Sequence, residues 1–167
     1  MKRNYQKELE QILEKKENKG KRLFLHSCCA PCSSYVLLYL REFFRITVFY
    51  YNPNITQREE YEKRAAEQKR LIAELNREST GFPIEVQEGN YEPEAFLMAA
   101  KGLEQCPEGG ERCLNCFALR LGETAKQAKK QAFDYFTTTL TISPLKNAQK
   151  LNEKLEQRRQ NEADMSR

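Results

Sequence analysis

Histidine is almost absent from this chain: there is one, His26, among 167 residues. A multi-histidine metal site is thereby excluded, as is any catalytic device that needs two imidazoles. Long apolar runs are missing too, and none approaches the roughly 20 residues that a membrane-spanning helix requires. Met1 to Lys21 is charged and lacks the apolar centre of a secretory signal. There is no internal repeat and no low-complexity linker. Charge of one sign is not in large excess, since the formal net charge is +4 with 31% charged residues. That balance permits a nucleic-acid partner without arguing for one. These absences lead to an expectation of one soluble cytoplasmic domain with an ordinary core and no membrane association.

Against that background six cysteines stand out. In a reducing compartment they are poor candidates for structural disulfides, and metal or redox chemistry is the better reading. Three are gathered in Cys28-Cys29-Ala30-Pro31-Cys32, between an apolar run, Leu23-Phe24-Leu25-His26-Ser27, and a second one, Tyr35 to Leu40. The first run reads as a strand and the second as a helix, so these thiols sit where a strand hands over to a helix N-terminus. Free N–H groups and the helix dipole at such a place favour thiolate. A second pair, Cys113-Leu114-Asn115-Cys116, stands before another helical stretch. Two clusters at helix starts suggest one shared site. A CxxC at a strand-to-helix turn fits a thioredoxin-like dithiol. Cys113 and Cys116 with two of the first three thiols fit a tetrahedral zinc site. About four thiolates with long gaps between them also fit a [4Fe–4S] cluster. Cys106, alone before Pro107, is as well explained by an incidental loop position.

The rest of the chain alternates. Tyr5 to Lys16 reads as a short amphipathic helix, Arg22 to Ser27 as a strand, Cys29 to Phe43 as a helix and Ile46 to Tyr51 as a second strand. Thr56 with Glu59 resembles a capping box for a helix ending near Arg77. Phe82 to Gln87 reads as a strand, Tyr91 to Lys101 as a helical piece, Gly102 to Arg112 as a loop and Cys113 to Lys130 as a helix. Phe133 to Leu140 is a fourth strand, and Ser143 with Pro144 opens a last helix. The pattern predicts an α/β fold, a three-layer Rossmann-like sheet of mainly parallel strands with helices on both faces.

In such sheets ligands bind beyond the carboxyl ends of the strands. Cys28 to Cys32, Asn52 to Asn54, and Thr139 to Lys146 fall there. Asn52, Asn54 and Lys146 are candidate substrate contacts, Lys146 through a phosphate, although a solvated lysine is the plainer reading. His26 reads as a structural histidine within its strand. Phe49, Tyr50 and Tyr51 read as core or rim aromatics, with base stacking by Tyr51 as the alternative. Asp134 and Thr137-Thr138-Thr139 read as strand residues, the threonines lining a polar pocket.

Several longer motifs carry a resemblance. His26-Ser27-Cys28-Cys29-Ala30-Pro31-Cys32 and Phe49-Tyr50-Tyr51-Asn52-Pro53-Asn54-Ile55 resemble those of the QueH-type epoxyqueuosine reductases. So do Gly109-Gly110-Glu111-Arg112-Cys113-Leu114-Asn115-Cys116, Phe136-Thr137-Thr138-Thr139-Leu140 and Ser143-Pro144-Leu145-Lys146-Asn147, in the same order. The resemblance runs from about Tyr5 to about Gln157. It implies the last step of queuosine synthesis: the epoxide of epoxyqueuosine at the wobble position of tRNA is reduced to the cyclopentene, and the oxygen leaves as water after two electrons and two protons. It also implies a [4Fe–4S] cluster beside a second metal, with iron expected, an electron donor, and no cobalamin. Carried over by motif, Cys28, Cys29, Cys113 and Cys116 are the cluster ligands. Cys32, where the family carries Cys or Asp, is the candidate ligand of the second metal and the residue placed at the reacting centre.

Family members continue with more α/β structure and end in a Tyr-Cys-Gly-Cys motif. Here residues 158–167 are polar and contain no cysteine. Residues 1–157 are therefore expected to form a single iron–sulfur reductase domain that is incomplete at its C-terminal end, and 158–167 a polar tail. Two rival readings make distinct predictions. A thioredoxin-like dithiol oxidoreductase would be colourless with a reversible Cys29–Cys32 disulfide. A zinc-stabilised nucleic-acid-binding module would hold one zinc, unfold on chelation and bind tRNA without chemistry.

Overall fold

The structure is a computed structural model, and it describes residues 11, 14–78 and 81–142. Most of the helix expected over Tyr5 to Lys16, the helix opened by Ser143 and Pro144, Lys146 and the tail 158–167 lie outside the described residues. A 3-10 turn at Lys16–Asn18 leads into β1 (Arg22–His26) and α1 (Ala30–Leu40). Then follow β2 (Arg45–Tyr50), α2 (Arg58–Arg77), β3 (Glu85–Glu88), α3 (Pro93–Ala100), α4 (Glu111–Lys130) and β4 (Tyr135–Thr138). A second 3-10 turn, Thr139–Ile142, begins where β4 stops.

The four strands form one sheet in the order β3-β2-β1-β4, and every neighbouring pair is parallel. The chain steps outward from β1 to β2 to β3, then returns past β1 to lay β4 on its other side. Right-handed crossovers place the helices of the outward steps on one face and the helix of the return step on the other. The packing shows that division. Leu23 and Leu25 of β1 and Ile46 and Val48 of β2 pack with Leu37 and Leu40 of α1 and Ile72 and Leu75 of α2. Phe24 and Phe49, pointing the opposite way along the same strands, pack with Ala128 of α4 and with Phe133. Each such fully buried side chain contributes about 1.5–3 kcal/mol. The near-continuous burial of β1 and β2 therefore reflects a sheet covered on both faces. The three-layer architecture expected from the sequence is the one observed.

Local signals are kept in most places and lost in one. Pro31 lies in the first turn of α1, where its missing N–H costs nothing. The capping box at Thr56 and Glu59 does not form: the N-cap of α2 is Gln57, and no side chain caps it. The helix is held instead by its apolar stripe and by exposed ion pairs such as Arg70–Glu74. Arg41 ends α1, and its carbonyl accepts the Phe82 N–H at 3.0 Å. Gly81 there has φ +72°, and a Cβ would stand 2.8 Å from the Arg41 carbonyl oxygen. Gly81→Ala is expected to cost about 1–3 kcal/mol, visible as a lowered urea midpoint with an unchanged slope.

Candidate metal centre

β1 is the strand at which the connection reverses direction, because β2 lies on one side of it and β4 on the other. The gap beyond the carboxyl ends of β1 and β4 is a topological switch point, the usual ligand position in open parallel sheets. Cys28, Cys29 and Cys32 occupy it. Their sulfurs all lie within 4.8 Å of one another. Cys29 Sγ is 2.9 Å from Cys32 Sγ and 3.9 Å from Cys28 Sγ. Cys29 is the N-cap of α1 and Cys32 falls in its first turn, so helix geometry folds the CxxC back on itself.

Residues that spacing alone does not single out hold this turn. The Ser27 hydroxyl donates to Gln68 Oε1 at 2.7 Å, and the Gln68 amide donates to Ser33 Oγ at 3.0 Å. Gln68 is fully buried in the middle of α2. It follows Tyr61 and Ala65 and precedes Ile72 and Leu75 on the buried stripe of that helix. A polar residue on an apolar stripe is the one sequence signal that points to it. Thr139 closes the other side: its hydroxyl accepts the Cys28 N–H at 3.2 Å and donates to Cys28 Sγ at 3.5 Å. Thr139 lies one residue past β4, in the 3-10 turn rather than in the expected strand.

His26 has the structural role expected of it. Nε2 faces the Tyr51 carbonyl oxygen at 2.9 Å, so Nε2 carries the proton, and Nδ1 accepts from the Thr138 hydroxyl at 3.0 Å. The Thr138 oxygen in turn accepts the Leu140 N–H. One imidazole thus ties together the ends of β1, β2 and β4. Asn52 donates to the Ser27 carbonyl at 3.0 Å and accepts from Arg120 Nη1 at 3.3 Å, so both ends of its amide are engaged. Asn54 has a buried Oδ1 with no hydrogen-bond partner among the described residues. Phe49, Tyr50 and Tyr51 are core aromatics; Tyr51 is 3% exposed and stacks on Phe49, which leaves no open ring face for a base.

The second pair lies on α4, which begins at Glu111 with Gly110 as N-cap, so Cys113 stands in its first turn. The Gly109 N–H donates to Cys113 Sγ at 3.4 Å. Cys113 and Cys28 pack against the same apolar cluster, Phe117, Leu121 and Leu140. Cys113 therefore borders the first thiols without joining their close group, and Cys116 is buried one turn further along α4. Cys106 lies in the loop before α4, against its N-cap Gly110, and is not in the three-sulfur group.

Electrostatics departs from the expectation of a helix-stabilised thiolate. Burial, and after it the neighbouring sulfurs of Cys29 and Cys28, push the Cys32 thiol up to about 12. Three thiolates cannot share so small a space unless a cation joins them. The donor set therefore fits a thiophilic metal centre: soft, crowded sulfurs whose protons a cation would displace. Because the Cys32 proton is held far above neutrality, metal uptake at pH 7–8 must release it, and apparent affinity rises with pH. Calorimetry in buffers of different ionisation enthalpy is expected to show net proton release, with affinity falling on acidification.

Fold and site together define a class, a parallel α/β protein with a thiolate-rich centre at its switch point. Comparison with known proteins narrows it. Residues 23–166 match the family model described as Epoxyqueuosine reductase QueH. The Epoxyqueuosine reductase QueH of Staphylococcus epidermidis is 44% identical over 154 residues, covering 90% of this chain and 64% of that protein. Those of Streptococcus pyogenes and Staphylococcus aureus are 42% and 40% identical, over 90% of this chain and 59% and 64% of their own lengths. The chain belongs to the QueH family. It spans about three fifths of the length of these curated relatives.

Proposed function

We propose that this chain carries the thiolate centre of an epoxyqueuosine reductase. In that reading the epoxide of epoxyqueuosine, at the wobble position of tRNA, is reduced to the alkene of queuosine, the last step of its synthesis. The observation that carries the reading is the three-sulfur group of Cys28, Cys29 and Cys32 at the switch point of a chain in this family. Cys28 and Cys29, with Cys113 and Cys116 from α4, would hold a [4Fe–4S] cluster, and Cys32 would ligate the second metal, an iron. Bound there, such a centre supplies electrons from thiolate-ligated iron and a Lewis-acidic position for the epoxide oxygen. The chain's own contribution is positioning. Ser27, Gln68 and Ser33 fix the cysteine turn from α2, and Thr139 fixes it from the end of β4. Asn54 offers its buried acceptor to the substrate, Asn52 acts by holding the Ser27 backbone, and Lys146 meets a phosphate. The partners are tRNA and an electron donor, the compartment is the cytoplasm, and residues 1–157 act as one domain with 158–167 as a polar tail. Among the described residues no helix is long and apolar enough to cross a membrane.

The test is iron and acid-labile sulfide per chain after purification without oxygen, with a visible spectrum. About four sulfides and five irons per chain, four in the cluster and one at Cys32, is the expected result. The short Cys29–Cys32 contact favours one rival, the dithiol oxidoreductase. A colourless protein that cycles a Cys29–Cys32 disulfide would establish that rival, and one tightly held zinc would establish the nucleic-acid-binding module.

A further inference from the structure

Two arginines are buried among the described residues, Arg41 and Arg120, at 2% and 4% exposure. Neither forms an ion pair with a carboxylate of the described residues. Buried charge without a partner is costly, so each needs an account. Arg41 has one. It terminates α1, and Nη1 donates at 2.7 Å to the Leu75 carbonyl in the last turn of α2. Two helix C-termini, each with partial negative charge, receive it.

Arg120 lies in the middle of α4, away from both helix ends. Among the described residues its one side-chain hydrogen bond is the 3.3 Å contact from Nη1 to Asn52, and its guanidinium carbon stands 5.2 Å from the centre of the Phe117 ring. Nε, like that of Arg41, is buried without an acceptor among the same residues. Three of its neighbours lead toward the sulfurs. Cys116 is one helical turn earlier on the same buried face. Asn52 holds the carbonyl of Ser27, the residue before Cys28. Phe117 belongs to the cluster on which Cys28 and Cys113 pack. Arg120 as a residue is 4% exposed, which closes it to a phosphate on a macromolecule, so the anion it answers is internal.

We propose that Arg120 is the buried counter-charge of the thiolate centre. A divalent ion held by three or more thiolates is net negative, and a fixed cation behind the ligands offsets that charge where water cannot. The proposal rests on the metal reading above and adds to it a residue outside the cysteine motifs.

Anaerobic cobalt(II) titration tests it, because thiolate-to-cobalt absorbance reports coordination by sulfur directly. Arg120→Met, similar in length and uncharged, is expected to bind cobalt about 10–100-fold more weakly. Arg120→Lys keeps the charge and should recover most of the loss. Arg120→Gln keeps a donor toward Asn52 without charge and should not; it also serves if the methionine variant fails to fold. Wild-type affinity in Arg120→Met or Arg120→Gln, with a native circular dichroism spectrum, overturns the proposal. So does recovery by glutamine with none by lysine, which would mean hydrogen bonding rather than charge. A wild-type chain with no thiolate–cobalt band overturns the metal reading itself, and is distinguishable because all variants then behave alike.

Discussion

Cys29→Ala is expected to remove essentially all bound iron while leaving the fold in place. Cys29 is the middle sulfur of the group, 2.9 Å from Cys32 and 3.9 Å from Cys28, so no other single deletion opens as large a gap among the ligands. The fold should survive because the Cys29 side chain makes no capping hydrogen bond to α1 and is only half-buried. Removing one small, half-buried sulfur costs less than about 1 kcal/mol. The check is iron per chain beside a far-ultraviolet spectrum, and retained iron would remove Cys29 from the ligand set. Cys113→Ala should lose the cluster as well, since the proposed set takes two ligands from α4. Cys106→Ala should keep it, and iron loss there would overturn the assignment of the α4 pair.

The second large effect is on stability. His26→Leu keeps the bulk of the ring and removes its hydrogen bonds to Tyr51 and Thr138, leaving the buried Tyr51 carbonyl without this donor. Unmade hydrogen bonds of buried groups cost about 1–3 kcal/mol each, so a total loss of about 2–4 kcal/mol is expected. A chemical denaturation midpoint lowered accordingly is the readout. The same variant should bind metal less tightly, because the ends of β1, β2 and β4 that support the cysteine turn are no longer tied together. An unchanged midpoint would mean that His26 does not staple those ends.

Both effects begin from residues that can be read in the sequence with unequal ease. Apolar residues on consecutive positions in Leu23-Phe24-Leu25 point alternately to the two faces of a strand, so their burial requires a sheet covered on both sides. Helical stripes between such runs then make the strands parallel. The first cysteine group is legible for a similar reason: a strand followed by a helix forces Cys28 to Cys32 into one turn. What holds the turn is not legible. Gln68 and Arg120 look like members of charged, solvated helix faces, and only their place on the buried stripe shows otherwise. Thr139 reads as a strand residue, whereas it acts from the turn after β4. The rise in the Cys32 thiol is also hidden, because burial and, after it, sulfur crowding oppose the helix dipole, and only the packing and the distances decide between them. The capping box fails because the backbone entering α2 places Gln57 rather than Thr56 at the N-cap.

The central position of β1 has a consequence for how the molecule comes into being. β1 emerges early in synthesis, but the Thr139 hydroxyl that meets Cys28 follows 111 residues later, just behind the β4 strand that pairs with β1. Closing so long a loop is among the slower steps of folding. Until it closes, the nascent chain displays Cys28, Cys29 and Cys32 without the wall that later encloses them, open to oxygen, to the wrong metal and to one another. On the function proposed above, metal loading therefore waits until β4 has paired with β1 and brought Thr139 to Cys28.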